Sequence, residues 1–328
     1  MILKGLTGLM APGGKRARLS ILIYHRVLPK ADPLSPDQIT IDEFDLQIRV
    51  LKNYFRVLPL SHAVKQLRDG ALPSRCACIT FDDGYADNAE YALPVLQKHG
   101  LSATFFIATG FLNGGLMWND AIIEALRRTK EDVLDLSQLC LGTHFLQTVE
   151  HRKKLIGFLL QQLKYLEPAE RIDKVKAVTD ITNTDLPTNL MMTSQQVCEL
   201  FSAGMEIGSH TVNHPILTSV GNDVAREEIA QSKDTLEHIV GSPVELFAYP
   251  NGVPGRDYSL ETVKLVQELG FHAAVSTARG VSGPKSDIYQ LPRFTPWHRT
   301  AKRFTADLLR NCMRDKFNFL PTNKTVEL

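Results

Sequence analysis

Residues 78–88 read Cys-Ile-Thr-Phe-Asp-Asp-Gly-Tyr-Ala-Asp-Asn: an apolar, β-branched run broken by two adjacent carboxylates and a glycine. Residues 89–99 follow with helical periodicity and stop at Gly100, and residues 102–108 (Ser-Ala-Thr-Phe-Phe-Ile-Ala) form the next apolar run. A strand, a helix and another strand in that order imply parallel strands. Neighbouring strand residues point to opposite faces, so Asp82 and Asp83 reach one place only if the backbone turns there, which Gly84 permits. The pair therefore stands where the strand ends. Two adjacent carboxylates repel unless a cation or a shared proton compensates, so a positive partner is expected. The plain alternative is an Asp-Asp-Gly surface turn.

A second cluster weighs against that alternative. Residues 204–215 (Gly-Met-Glu-Ile-Gly-Ser-His-Thr-Val-Asn-His-Pro) again end an apolar run, this time in two histidines four positions apart. His210 and His214 share a face if the segment is helical, and converge also if it is a loop leaving a strand. Two imidazoles and one carboxylate make a three-ligand site for a borderline divalent ion such as zinc, with one position open.

Thr80-Phe81-Asp82-Asp83-Gly84 followed by Ser209-His210-Thr211-Val212-Asn213-His214 resembles the first two motifs of the polysaccharide deacetylases, carbohydrate esterase family 4. Phe247-Ala248-Tyr249-Pro250-Asn251-Gly252 is similar to the third motif in its Tyr-Pro-x-Gly form, and Leu291-Pro292-Arg293-Phe294 to the later arginine segment. The opening Leu22-Ile23-Tyr24-His25-Arg26-Val27 resembles the branch that processes exported glucosamine polymers. The likeness runs over residues 19–298, less an insertion. It implies a distorted (β/α) barrel, usually of seven strands, with its site at the C-terminal mouth; an open doubly wound sheet is the competing α/β arrangement.

The organisation expected is an N-terminal extension (1–18), a barrel (19–300) carrying an inserted helical subdomain at about 111–190, and a final helix and tail (301–328). The insertion is expected beside the mouth, either as packing scaffold or as a lid and partner surface. The 328 residues are 44% hydrophobic, enough for a substantial core. Thirty-seven Lys and Arg balance 36 Asp and Glu, so the net charge of +1 gives no general attraction to nucleic acid. Five cysteines without a Cys-x-x-Cys pair argue against a disulfide framework and for a reducing compartment. Residues 1–18 are broken by glycines and Pro12 before their basic residues, unlike a secretory signal, and no run reaches a membrane span. A cytoplasmic location is expected, with the inner face of the membrane as the alternative; a peripheral contact through Ile2, Leu3, Leu6, Leu9 and Met10 competes with a frayed terminus. Oligomeric state is not legible.

By resemblance, Asp83, His210 and His214 hold the ion, most simply zinc with cobalt or nickel as alternatives, and Asp82 stays free as general base. The resemblance also gives Tyr249, through its backbone N–H, the oxyanion, with Pro250 beside it, and Arg293 the task of keeping Asp82 ionised. No family-type Leu-x-His segment supplies the general acid; His25 and His298 are the candidates, His25 preferred because it closes a buried strand. Trp118 is either a core residue or a platform for a sugar ring. The implied activity is removal of N-acetyl groups from an amino-sugar polymer, oligomer or lipid-linked precursor, in exopolysaccharide or cell-envelope synthesis. Rivals are a hydrolase of a non-sugar amide, a degenerate carbohydrate-binding protein, and a structural zinc site.

Overall fold

The computed structural model describes residues 7–314 and 317–321. Seven parallel strands run β1 (Ser20–Tyr24), β2 (Cys76–Phe81), β3 (Thr104–Ile107), β4 (Glu206–Ser209), β5 (Leu246–Ala248), β6 (Ala273–Arg279) and β7 (Leu291–Arg293), each paired with its neighbour in that order. A short eighth strand, Arg56–Val57, pairs with the start of β2. The sheet then bends back on itself. Ile23 N–H donates to Phe294 O at 3.1 Å and Phe294 N–H to Ile21 O at 2.8 Å, joining β1 to the end of β7. The result is a nearly closed distorted barrel, and the doubly wound sheet is excluded.

Burial on both faces explains the uninterrupted apolar strands. All six residues of β2 are buried, and their parity divides them. Ala77, Ile79 and Phe81 face the outer layer with Phe44, Ile48, Leu51 and Leu96. Cys76 and Cys78 face the interior with Ile21, Phe106, Leu246, Val275 and Leu291. Helices between successive strands cover the outside, α1 (Ile41–Tyr54), α3 (Leu93–His99), α7 (Ser194–Ser202), α8 (Asn222–Val240) and α9 (Leu260–Glu268), while α2 (Leu60–Arg68) lies at one end of the barrel. Thr40 and Glu43 form a full capping box on α1, and Thr193 with Gln196 does the same on α7. The apolar side of α2 packs against the inward set and closes the barrel floor. Among the barrel helices, the stretch expected at 89–99 starts with a π-helical turn, Asn88–Ala92, before α3.

Between β3 and α7 the chain makes an excursion whose ends return to one place: Asn113 N–H donates to Met192 O at 3.0 Å and Met192 N–H to Gly84 O at 2.9 Å. It holds α4 (Trp118–Arg128), α5 (Val149–Leu163), α6 (Pro168–Thr182) and a two-stranded hairpin, Val133–Asp135 with Thr143–Phe145, that the sequence reading did not include. Its own core, with Ile122, Leu126, Leu134, Leu155, Leu159 and Val178, is separate from the barrel's. Arg127 clamps Asp32 of the β1–α1 loop with two bonds of 2.9 and 2.6 Å.

Helix α10 (Ala301–Cys312) ends the regular structure. No helix of the described residues is long and apolar enough to cross a membrane. Leu9 is 81% exposed, while Ile2, Leu3 and Leu6 of the expected membrane contact lie outside the described residues.

Candidate active site

Strand parity places the first carboxylate. Asp82 continues the inward series Cys76, Cys78, Thr80, and Arg293 continues that of Leu291, so the two side chains meet inside the barrel near its mouth. Arg293 grips Asp82 with two bonds, Nη1 to Oδ1 at 2.7 Å and Nη2 to Oδ2 at 2.6 Å. It also donates from Nε to Ser276 O at 2.9 Å and from Nη1 to Thr80 Oγ1 at 3.2 Å. Both side chains are buried. Burial by itself would raise the Asp82 pKa; the Arg293 guanidinium, helped by His210, outweighs it and holds Asp82 ionised below the ordinary carboxylate value.

By parity Asp83 would leave the barrel interior, and a left-handed backbone corrects this: φ is 76° at Asp83 and 91° at Gly84. A Cβ at Gly84 would stand 3.0 Å from Ile107 Cγ2, so the turn admits glycine for reasons of both conformation and space. A strained non-glycine residue held this way is over-determined by its surroundings, here the Ala108 N–H bond to Asp83 O at 3.2 Å.

His210 follows β4. Its Nδ1 lies 2.7 Å from Ala248 O. A carbonyl oxygen only accepts, so Nδ1 carries the proton and Nε2 presents its lone pair. The segment 210–214 is a loop, with φ of 66° at Thr211 and 52° at His214. Thr211 Oγ1 accepts the His214 N–H at 3.1 Å, and Glu228 of α8 accepts from the Val212 and Asn213 N–H groups at 3.0 and 2.8 Å. Glu228 thus shapes the turn that delivers the second imidazole, a contribution with no signal in the motif itself.

Asp83 Oδ1 lies 3.5 Å from Nε2 of His210 and 3.5 Å from Nε2 of His214. Donor atoms at about 2.0–2.2 Å from a tetrahedral ion are about 3.4 Å apart, so this set fits a divalent metal. Burial pushes the Asp83 pKa up, and the three surrounding histidines reverse it to well below the ordinary value. Burial, reinforced by His210, lowers His214 to about 4, so it is neutral and ready to donate. Burial works against a charged His210, but Asp82 and Asp83 outweigh it and raise its pKa. With Asp82 occupied by Arg293, three protein donors remain, one fewer than a closed structural zinc site uses.

These groups open into a cavity of about 790 Å³ lined by both the barrel mouth and the inserted segment. His25 lines it, one residue beyond the Tyr24–Phe81 pair and so level with Asp82. His298 does not: it is part-exposed, 3.9 Å from Asp307. Trp118 lines the cavity with the Arg171 guanidinium over its ring at 5.3 Å, and Trp297, 54% exposed, lines it from the other end of the chain.

The roles expected of Tyr249 and Pro250 need correction. Tyr249 N–H is already donated to Val275 O at 3.2 Å, extending the β5–β6 ladder, and its ring is buried against Tyr258. Neither Tyr249 nor Pro250 lines the cavity, and Pro250 has no N–H to give. Asn251 does line it, at φ 58°, and its N–H has no hydrogen-bond partner among the described residues. The signal was present in the same motif, two positions on.

A model of the polysaccharide deacetylase family matches residues 69–133 and 168–274, just over half of the chain, and skips most of the hairpin and α5. YxkH of Bacillus subtilis, named as a polysaccharide deacetylase, is 24% identical over 281 residues, covering 85% of this chain and 71% of that protein. A poly-beta-1,6-N-acetyl-D-glucosamine N-deacetylase of Staphylococcus aureus is 23% identical over 205 residues, 62% of this chain and 70% of its own. Among solved structures, the Streptococcus pyogenes deacetylase PplD in complex with acetate superposes with a TM-score of 0.61 at 20% identity, over 90% of this chain and 99% of that one. IcaB from Ammonifex degensii gives 0.59 at 19%, over 92% and 98%. With the family model spanning both motif-bearing strands, and the same barrel in those structures, the chain belongs to the polysaccharide deacetylase family.

Proposed function

We propose that the protein removes N-acetyl groups from an amino-sugar polymer, oligomer or lipid-linked precursor, releasing acetate and a free amine, in exopolysaccharide or cell-envelope synthesis. The observation that carries this is a carboxylate locked in its ionised form by Arg293, next to a three-donor set that fits a divalent ion. A zinc ion, or cobalt or nickel, held by Asp83, His210 and His214 would polarise the acyl carbonyl and make water acidic enough to deprotonate near neutral pH.

The chain's own residues supply the rest. Asp82, ionised and immobile, takes the proton from the attacking water. Arg293 fixes the carboxylate's orientation and is a positioning residue. The Asn251 N–H donates to the amide oxygen as negative charge gathers on it. His25 delivers a proton to the departing nitrogen, since it shares the cavity with Asp82 whereas His298 faces Asp307. Five free thiols, two of them buried on β2, support a reducing compartment and thus a cytoplasmic location. The staphylococcal relative's name supports an N-acetylglucosamine polymer as the substrate class.

The test is acetate release from N-acetylglucosamine oligomers by metal-stripped protein, with and without added zinc, cobalt or nickel. Release that depends on added metal supports the proposal; release at equal rates from stripped and loaded protein contradicts it.

A further inference from the structure

One wall of the cavity carries positive charge that the deacetylation chemistry does not use. Lys164, just after α5, and Arg171, in α6, both line it. Arg171 is 6% exposed, and its Nε is buried without a hydrogen-bond partner. Its Nη1 donates to Lys164 O at 3.1 Å, which ties the two residues together, and its guanidinium lies over Trp118. Neither side chain forms an ion pair with a carboxylate among the described residues. The acid that acts on Lys164, Asp257, is fully buried and already bonded by Arg256 and the Val253 N–H.

Elsewhere in the site cations are matched. Arg26 holds Asp87 at 2.7 Å and Arg293 holds Asp82. The remaining acid of the lining, Asp37, is exposed at the rim. Burying a guanidinium with an unmet donor costs free energy, and an incoming anion would recover it. A neutral sugar chain can accept hydrogen bonds from that wall but brings no charge to match it.

We propose that the substrate bears an anionic group, a phosphate or a carboxylate, that seats between Lys164 and Arg171 while the N-acetyl group reaches the metal-fitting site. The planar guanidinium suits two oxygens of one oxyanion, and the lysine adds a point charge. This deepens the deacetylase function and rests on it.

The experiment compares kcat/KM for acetate release by zinc-loaded protein from three probes: a neutral N-acetylglucosamine oligomer, the same oligomer with a reducing-end phosphate, and one with a terminal uronate. The expected result is a preference of about tenfold or more for one anionic probe over the neutral one. Which anion is preferred separates phosphate from carboxylate. The preference should shrink with added salt, collapse in Lys164→Gln and Arg171→Gln, and fall only in part in Arg171→Lys, which keeps the charge and loses the two-pronged donor. Lys164→Gln is the cleaner variant, because Arg171 is also packed on Trp118. Equal efficiency on all three probes, or a preference that survives both glutamine substitutions, overturns the inference while leaving the deacetylase function standing. No release from any probe overturns the deacetylase function, and the inference with it.

Discussion

The barrel mouth and the inserted segment face each other across one cavity and are built on different terms. At the mouth each working side chain is fixed by partners from the barrel: Asp82 by Arg293, His210 by the Ala248 carbonyl, and the His214 turn by Thr211 in its own loop and Glu228 of α8. The inserted segment has its own apolar core, and offers the cavity Trp118, Lys164 and Arg171, two of which are cations without acidic partners among the described residues. Rigid positioning suits chemistry in which a small displacement costs rate. A separately folded wall can change without disturbing it, which is where selectivity is most easily altered.

The strongest way to break this contrast is at the metal-fitting set. Asp83→Ala or His210→Ala should abolish both ion binding and turnover, read by metal analysis and acetate release on the same samples. Next comes Asp82→Asn, which should keep the ion and lower kcat by about 10²–10⁴. Arg293→Met attacks the same pair from the other side. It strands a buried carboxylate, at a cost of about 3–5 kcal/mol in chemical denaturation, and the double variant Asp82→Asn/Arg293→Met should recover part of that loss.

Sequence alone made the mouth legible because its chemistry is local. Asp82 and Asp83 are adjacent, His210 and His214 are four positions apart, and each cluster ends a recognisable apolar strand. What it did not disclose depends on distant residues. The closure of β1 on β7 joins Ile21 and Ile23 to Phe294, and the cavity wall joins Trp118 to Arg171; neither pairing leaves a pattern in a short window. The Tyr249 assignment failed for a register reason. Whether an N–H is free depends on where the ladder with β6 stops, and it stops after Tyr249. The hairpin at Val133–Asp135 and Thr143–Phe145 escaped because its strands are three residues long and largely exposed.

Smaller effects sharpen the comparison. Because Asp82 and Asp83 raise the His210 pKa, an ion arriving below that value must displace a proton from Nε2. Metal affinity should therefore rise as pH increases through the raised His210 value and level off above it, with His214, at about 4, neutral throughout. Calorimetry in buffers of different ionisation enthalpy would report the released proton. His25→Gln should reduce kcat by about 10²-fold if it supplies the amine's proton, and His298→Gln should leave kcat within about twofold.

The smallest effect lies where the two regions touch. Tyr85 Oη donates to Asp120 Oδ2 at 2.9 Å, and burial pushes Asp120 up to about 7. A carboxyl whose folded pKa is raised disfavours the fold once it must ionise, so its cost grows as pH rises from about 4 to about 7 and is constant above. Asp120→Asn keeps the acceptor and removes the charge. Its Tm should exceed the parent's by about 2–4 °C at pH 8 and match it at pH 4.

Zinc titration of metal-stripped protein, run in parallel on the unaltered chain, Asp82→Asn and Asp83→Asn with acetate release measured on each, tests the separation of metal-holding from proton-taking most directly. The account predicts one ion per chain and activity for the unaltered protein, one ion and almost no activity for Asp82→Asn, and neither for Asp83→Asn. Full activity in Asp82→Asn, or an unaltered chain that binds no ion, would contradict it.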